Sequence, residues 1–362
     1  MMRPSFLFAF LVAILVGNPA VAEGWTELAK KHTIELADFT FHTGETLPSV
    51  KMIVYTLGEP QRDETGRITN AVMLLHGTGG SGRSLLRPNF GDELFGPGQP
   101  LDIEKFYIIS PDNLGHGDSS KPSDGLRAKF PRYDYDDMVL AQHRMLTEGF
   151  GVSRLELILG TSMGCMHSFV WGQTYPGFAR RLVPLACNAI EIAGRNLIFR
   201  QMVIDGFQRD PAYDGGNYRD AAALTLGQQT YAIGMMTATG NPYRTQAQLP
   251  TRAATLDYLR SSMERRAASP AEPNDTIYQF AASRNYDPSP RLEEIAVPVL
   301  WINSQDDFIN PAGLGNPAGL AQRMPNARFV LIPASAETRG HGTHSYPEFW
   351  KDELSRFLAR YP

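Results

Sequence analysis

The sequence predicts an α/β protein, a mostly parallel sheet with helices on both faces and an inserted helical cap. Three observations predict it. Short apolar or β-branched runs recur along the chain, several of them continuously apolar, as strands covered on both faces require. Stretches with apolar residues at three- and four-residue spacing lie between those runs, the alternation of βαβ units. That rhythm lapses over residues 189–292, about a hundred residues without a convincing strand.

Taken in order, the strand candidates are residues 50–57, 71–77, 106–112, 155–160, 181–187, 298–303 and 328–333. Helices are expected over residues 135–151 and 163–176. Within the cap, helices are suggested at 195–208, 221–236 and 252–266, separated by Gly- and Pro-containing stretches such as DPAYDGGNY. The core is therefore assigned to residues 23–188 and 293–362, and the cap to 189–292.

Residues 1–22 are set apart from the fold. Arg3 precedes an apolar run from Phe6 to Val16, followed by Gly17, Asn18 and Pro19 and a small-residue site ending at Ala22. The run is too short to span a bilayer, which needs roughly 20 residues. A signal peptide cleaved after Ala22 is expected, with a periplasmic or secreted mature protein and no membrane attachment. The two cysteines, Cys165 and Cys187, are too few for a disulfide framework, and sequence leaves open whether they pair or pack as small apolar groups.

Composition narrows the function classes. A 43% hydrophobic chain is one that folds, and 34 basic against 38 acidic residues give a net charge of -4. No basic surplus exists to neutralise phosphates, so nucleic acid is not an expected partner.

Chemistry gathers at four strand ends. Gly160-Thr161-Ser162-Met163-Gly164 stands between an apolar strand and a helix, the context of a nucleophile elbow G-x-S-x-G, in which a serine projects from a tight turn and flanking glycines relieve collisions. His76-Gly77-Thr78-Gly79-Gly80 follows an earlier strand as an oxyanion loop would, making the backbone N–H groups of Thr78 and Met163 candidates for holding a developing oxyanion. The segment from Trp301 to Asp307 ends a late strand with two carboxylates. Asp307, four residues before Pro311, is preferred over Asp306 as the acid that orients a histidine. His341, flanked by glycines in RGHGTH, is preferred over His344 as the base. His32, His42, His76, His116, His143 and His167 show no metal-gathering spacing and are read as surface or internally satisfied groups. The stretch from Pro111 to Ser120 is read as a structural turn. Tyr231, Met235, Met236 and Tyr243 are pocket candidates that fit a helix core equally well.

With these residues in place, the chain resembles the α/β-hydrolase superfamily, whose order Ser162, Asp307, His341 it shares. Within that superfamily it is similar to the homoserine O-acetyltransferase branch, through FHTGETLPSVKMIVYTLGEP, NAVMLLHGTGG, the segment from Met138 to Pro176, DPAYDGGNY and GHG. The resemblance implies an α/β-hydrolase fold, a serine nucleophile, no cofactor or metal, and a homodimer formed through the cap. Three departures bear on the reaction. Cys165 stands where that branch usually has a second glycine, and His167-Ser168 where it has Gln-Ala. Ile204 occupies the place, six residues before Asp210, of an arginine that grips the substrate, and an apolar side chain cannot hold a carboxylate, although Arg200 or Arg209 would serve after a register shift. Export would also separate the enzyme from cytoplasmic acetyl-CoA. The expected function is hydrolysis of a carboxylic ester, thioester or lactone on a small-molecule acyl substrate. Acyl transfer to an alcohol or amine is the alternative, and a non-catalytic binding protein on the same fold the remote one.

Overall fold

The structure, a computed structural model, describes residues 24–362, so the leader expected at residues 1–22 lies outside the described residues. Eight strands form one sheet: β1 (Lys30–Thr40), β2 (Thr46–Leu57), β3 (Ala71–Leu75), β4 (Tyr107–Pro111), β5 (Leu157–Thr161), β6 (Leu182–Leu185), β7 (Val299–Ser304) and β8 (Ala327–Ile332). Their order across the sheet is β1-β2-β4-β3-β5-β6-β7-β8. The first two strands run antiparallel to each other and β2 antiparallel to β4, while every pair from β4 to β8 is parallel.

Two apolar layers hold the sheet. Met73 and Leu75 of β3 face one layer with Ile109, Ile158 and Trp171; Val72 and Leu74 face the other with Leu159, Leu300, Trp350 and Phe357. Successive side chains of a strand point to opposite faces, so a strand buried on both must be apolar throughout, which is why β3 reads AVMLL without a break. Helices α1 (Tyr135–Arg144) and α2 (Met163–Thr174) lie against the first layer, and the C-terminal α8 (Lys351–Arg360) packs on the second through Leu354 and Phe357. Asp134 caps α1 by accepting from the Asp137 N–H at 3.1 Å.

Strand β1 has no counterpart among the strands expected from sequence. Its KKHTIELADFT puts charged and polar residues among Ile34, Leu36 and Phe39, with only Leu36 and Phe39 buried, because an edge strand has solvent on much of its surface and shows no continuous apolar run. Between β6 and β7 the described chain is helical: α3 (Gly194–Gln208), α4 (Thr225–Thr239), α5 (Pro242–Gln248), α6 (Arg252–Ala268) and α7 (Pro273–Ala281). The DPAYDGGNY segment links the first two, its Asp210 carboxylate accepting from Ala212 N–H and from Leu226 N–H at the start of α4. Of the described helices, none is long and apolar enough to cross a membrane.

The sheet sets the place of the site. Leaving β3, the chain reaches β4 on one side, and it later returns to β5 on the other. Loops that diverge from neighbouring parallel strands open a crevice at their carboxyl ends. The loop after β3 carries His76–Gly80, and the turn after β5 carries Ser162.

Candidate active site

Ser162 stands between β5 and α2 with φ 54° and ψ -108°, a backbone conformation costly for any residue with a Cβ. Its neighbours show why the pentapeptide needs its glycines. A Cβ at Gly160 would lie 1.9 Å from the Gly164 carbonyl oxygen, and one at Gly164 would lie 2.2 Å from that of Leu75. The elbow is pinned by main-chain bonds: Ser162 N–H donates to Leu185 O at 2.8 Å, and Gly164 N–H to His76 O at 3.1 Å.

The two other residues preferred from sequence meet this serine. His341 Nε2 lies 2.9 Å from Ser162 Oγ, and its Nδ1 lies 2.7 Å from Asp307 Oδ2. A carboxylate only accepts, so Nδ1 carries the proton and Nε2 of the neutral ring is left to accept from the serine hydroxyl. Asp307 is held in turn by the N–H groups of Ile309 and Asn310, both on Oδ1, at 2.8 and 2.9 Å. The set is nearly closed to solvent, with Ser162 9% and His341 7% exposed. Such an arrangement can withdraw the serine proton as Oγ attacks an electrophile.

Asp306, the competing carboxylate, points elsewhere. Its Oδ2 accepts from Asn241 Nδ2, Thr338 Oγ1 and Gly340 N–H at 2.7, 2.8 and 3.0 Å, and its Oδ1 takes the Ser304 hydroxyl. It therefore ties the loop bearing His341 to the helical segment at Asn241. His344, the competing histidine, lies tilted against His341 with ring centroids 5.0 Å apart, and burial pushes its pKa down to about 3.

The loop after β3 lies against Ser162, since a Cβ on Gly77 would come within 3.1 Å of Ser162 Cβ. Among the described residues neither Thr78 N–H nor Met163 N–H has a backbone acceptor. Beneath the loop runs a buried polar network that the sequence does not announce. His76 Nδ1 donates to Gly77 O at 2.8 Å, and its Nε2 accepts from the Asn113 N–H and from Asn113 Nδ2. Gln142 then bridges Asn113 Oδ1, His167 Nδ1 and Trp171 Nε1. Burial pushes His76 down to about 4 and His116 to about 3, so both rings are neutral supports. The one signal for this network in the sequence is the scatter of polar residues through apolar helices. The stretch from Pro111 to Ser120 is a structural turn: the Asp112 carboxylate accepts from Gly82 N–H and Asp118 N–H at 2.7 and 2.8 Å.

Cys165 and Cys187 form a disulfide with a Cα separation of 5.9 Å. One cysteine sits in the first turn of α2 and the other two residues past β6, so the bond joins the two segments flanking Ser162. Ile204 is buried in the apolar layer, and Arg200, one helical turn earlier, is also buried. Tyr231 of α4 reaches the loop after β3, its hydroxyl 3.5 Å from where a Gly79 Cβ would be, whereas Tyr243 is 66% exposed. Of the remaining histidines, His42 gathers with Asp134 and Asp136 to within 4.8 Å, which its sequence position does not suggest. Asp134 Oδ2 there already receives His42, Asn285 and the Arg284 guanidinium, so the cluster is an internally paired one.

A family model for the alpha/beta hydrolase fold matches residues 70–338. The chain belongs to this α/β-hydrolase-fold family, and over part of its length it is similar to homoserine O-acetyltransferases. Its relatives include both acyltransferases and esterases. A probable acyltransferase of Methanothermobacter thermautotrophicus is 30% identical over 301 residues, covering 82% of this chain and 89% of that one. The homoserine O-acetyltransferase of Thermobifida fusca is 31% identical, but over 56% of this chain and 54% of its own length. An acetyl esterase structure superposes with a TM-score of 0.78 at 22% identity, covering 92% of this chain and 98% of that one. The homoserine O-acetyltransferase structure from Bacillus anthracis gives 0.77 at 20%, covering 92% and 98%. At these identities the superpositions establish the fold.

Proposed function

We propose that the protein is an exported serine hydrolase of carboxylic esters, thioesters or lactones. The observation that carries this reading is the hydrogen-bonded line from Ser162 through His341 to Asp307, at 2.9 and 2.7 Å. Ser162 Oγ attacks the acyl carbonyl while His341 Nε2 takes its proton, and the same proton passes to the departing alkoxide or thiolate. Thr78 N–H and Met163 N–H receive the oxyanion. Water, deprotonated by His341, then releases the acid and regenerates the serine. No cofactor takes part in these steps. Export is supported by the leader pattern of residues 1–22 and by the paired cysteines, which persist in oxidising compartments.

Acyl transfer remains a second reading because the relative aligned over 89% of its own length is named a probable acyltransferase. Against it stands Ile204, which offers no charge to an amino acid acceptor. Product analysis separates the two. With p-nitrophenyl esters and an added alcohol or homoserine, free acid as the sole product, lost in Ser162→Ala, supports the hydrolase. Acceptor-dependent turnover with acylated acceptor as product contradicts it. Mature protein beginning at Glu23 supports export.

A further inference from the structure

We propose that Asn196 and Arg200, on the first two turns of α3, are positioning residues for Asp307, acting through Asn310. The inference rests on the serine-hydrolase reading and adds a role for the helical segment in it.

Asn310 lies three residues past the acid and is 2% exposed. It makes three bonds to three parts of the molecule. Its main-chain N–H donates to Asp307 Oδ1 at 2.9 Å, its Nδ2 donates to Ala186 O at 2.9 Å, and its Oδ1 accepts from Asn196 Nδ2 at 2.8 Å. Ala186 follows Leu185, whose carbonyl holds the Ser162 N–H. Asn310 thus fastens the acid loop both to the strand end beside the nucleophile and to α3. Asn196 Oδ1 in turn accepts from Arg200 Nε at 2.8 Å, and Arg200 Nη1 reaches Phe280 O on α7 at 3.3 Å.

The chemistry of its ends gives this chain of bonds a single direction. A guanidinium only donates, and a main-chain carbonyl only accepts. Starting from Arg200, Asn196 must present its oxygen to the arginine and its nitrogen to Asn310; Asn310 must then present its oxygen to Asn196 and its nitrogen to Ala186. Neither amide can turn over without leaving a buried donor facing a donor. Arg200 is itself 5% exposed and, among the described residues, pairs with no carboxylate, so its charge strengthens the bond to Asn196. Removal of the Asn196 amide leaves Asn310 Oδ1 buried without a donor, and the loop that aims Asp307 loses its tie to α3.

A slackened Asp307 stabilises the imidazolium of His341 less, so activation of Ser162 weakens and the acidic limb of the rate profile moves to lower pH. The other groups facing this pair are Asp306, engaged by Asn241, Thr338 and Gly340, and His344, kept neutral by burial. Both are untouched by a change at Asn196.

The test is the rate of labelling by a fluorophosphonate, followed against pH in the wild type, Asn196→Ala and Asn196→Asp. Aspartate still accepts from Arg200 and fills the same space, but its carboxylate cannot donate to Asn310, so it carries the test should the alanine variant fail to fold. Both variants are expected to label about tenfold more slowly, with the acidic limb displaced downward and with kcat for p-nitrophenyl acetate falling while KM is little changed. Folded variants that match the wild type in rate and limb overturn the inference alone. A wild type that takes no label overturns the serine-hydrolase reading, and this inference with it.

Discussion

At the residue scale, adjacent carboxylates of the same type do different work because of what surrounds each. Asp307 offers one oxygen to His341 and the other to two backbone N–H groups, while Asp306 serves as a knot between loops. Sequence can rank them only by distance to Pro311, since side-chain direction depends on a turn it does not display. The two predict different losses. Asp307→Asn should retain thermal stability and lower kcat by about 10⁴-fold, as the wrong tautomer of His341 is then favoured. Asp306→Asn sets an amide among four donors and should cost about 1–3 kcal/mol of stability, with a much smaller fall in kcat. Paired thermal melts and ester kinetics check both. The need for glycine at Gly160, by contrast, is legible in the pentapeptide alone, because the carbonyl that excludes its Cβ is that of Gly164, whereas Gly164 is constrained by Leu75 at the end of β3.

At the element scale, legibility follows burial. A strand covered on both faces, such as β3 with its AVMLL, declares itself through a continuous apolar run, whereas the edge strand Lys30–Thr40 does not. In the helical segment, α3, α4 and α6 lie near the positions that spacing suggests, while α5 and α7, of 7 and 9 residues, are too short to show a sustained repeat. The buried face of α7 includes Asn274, Asp275 and Thr276, whose burial depends on distant partners such as Ser123 and Tyr213. Pairing of Cys165 with Cys187 is likewise a matter of spatial approach; closing this loop contributes roughly 3 kcal/mol through restriction of the unfolded chain. Just before α7, Glu272 faces Tyr218, and burial, reinforced by Asp275, pushes its carboxyl from 4.5 up to about 7. The folded state then holds a proton that the unfolded state gives up, so the stability linked to this group is present in full below about pH 4.5 and is lost as pH rises through about 7. Glu272→Gln should therefore gain on the wild type progressively between pH 4.5 and 7 in denaturant unfolding. A stability difference that stays constant with pH would contradict this.

At the scale of the whole molecule, the site exists because the chain diverges on either side of β3. That divergence sets the loop bearing Thr78 beside the elbow bearing Ser162, and the return through β7 and β8 delivers Asp307 and His341 to the same rim. The helical segment closes over them through Tyr231, Asn241 and Asn196. Order of residues along the chain suffices to select the fold, while the choice of Asp307 and His341 over their neighbours leans on Pro311 and the flanking glycines. Substrate choice is not legible, because it depends on the shape between helices whose packing is set by long-range contacts. The proposed chemistry turns on a covalent acyl intermediate at Ser162. Rapid mixing of the protein with p-nitrophenyl acetate, acid quench and mass analysis of the peptides tests it directly. One acetyl group per chain is expected, on the peptide containing Ser162 and absent from Ser162→Ala. Turnover with no acyl adduct, or with the adduct on another residue, would contradict it.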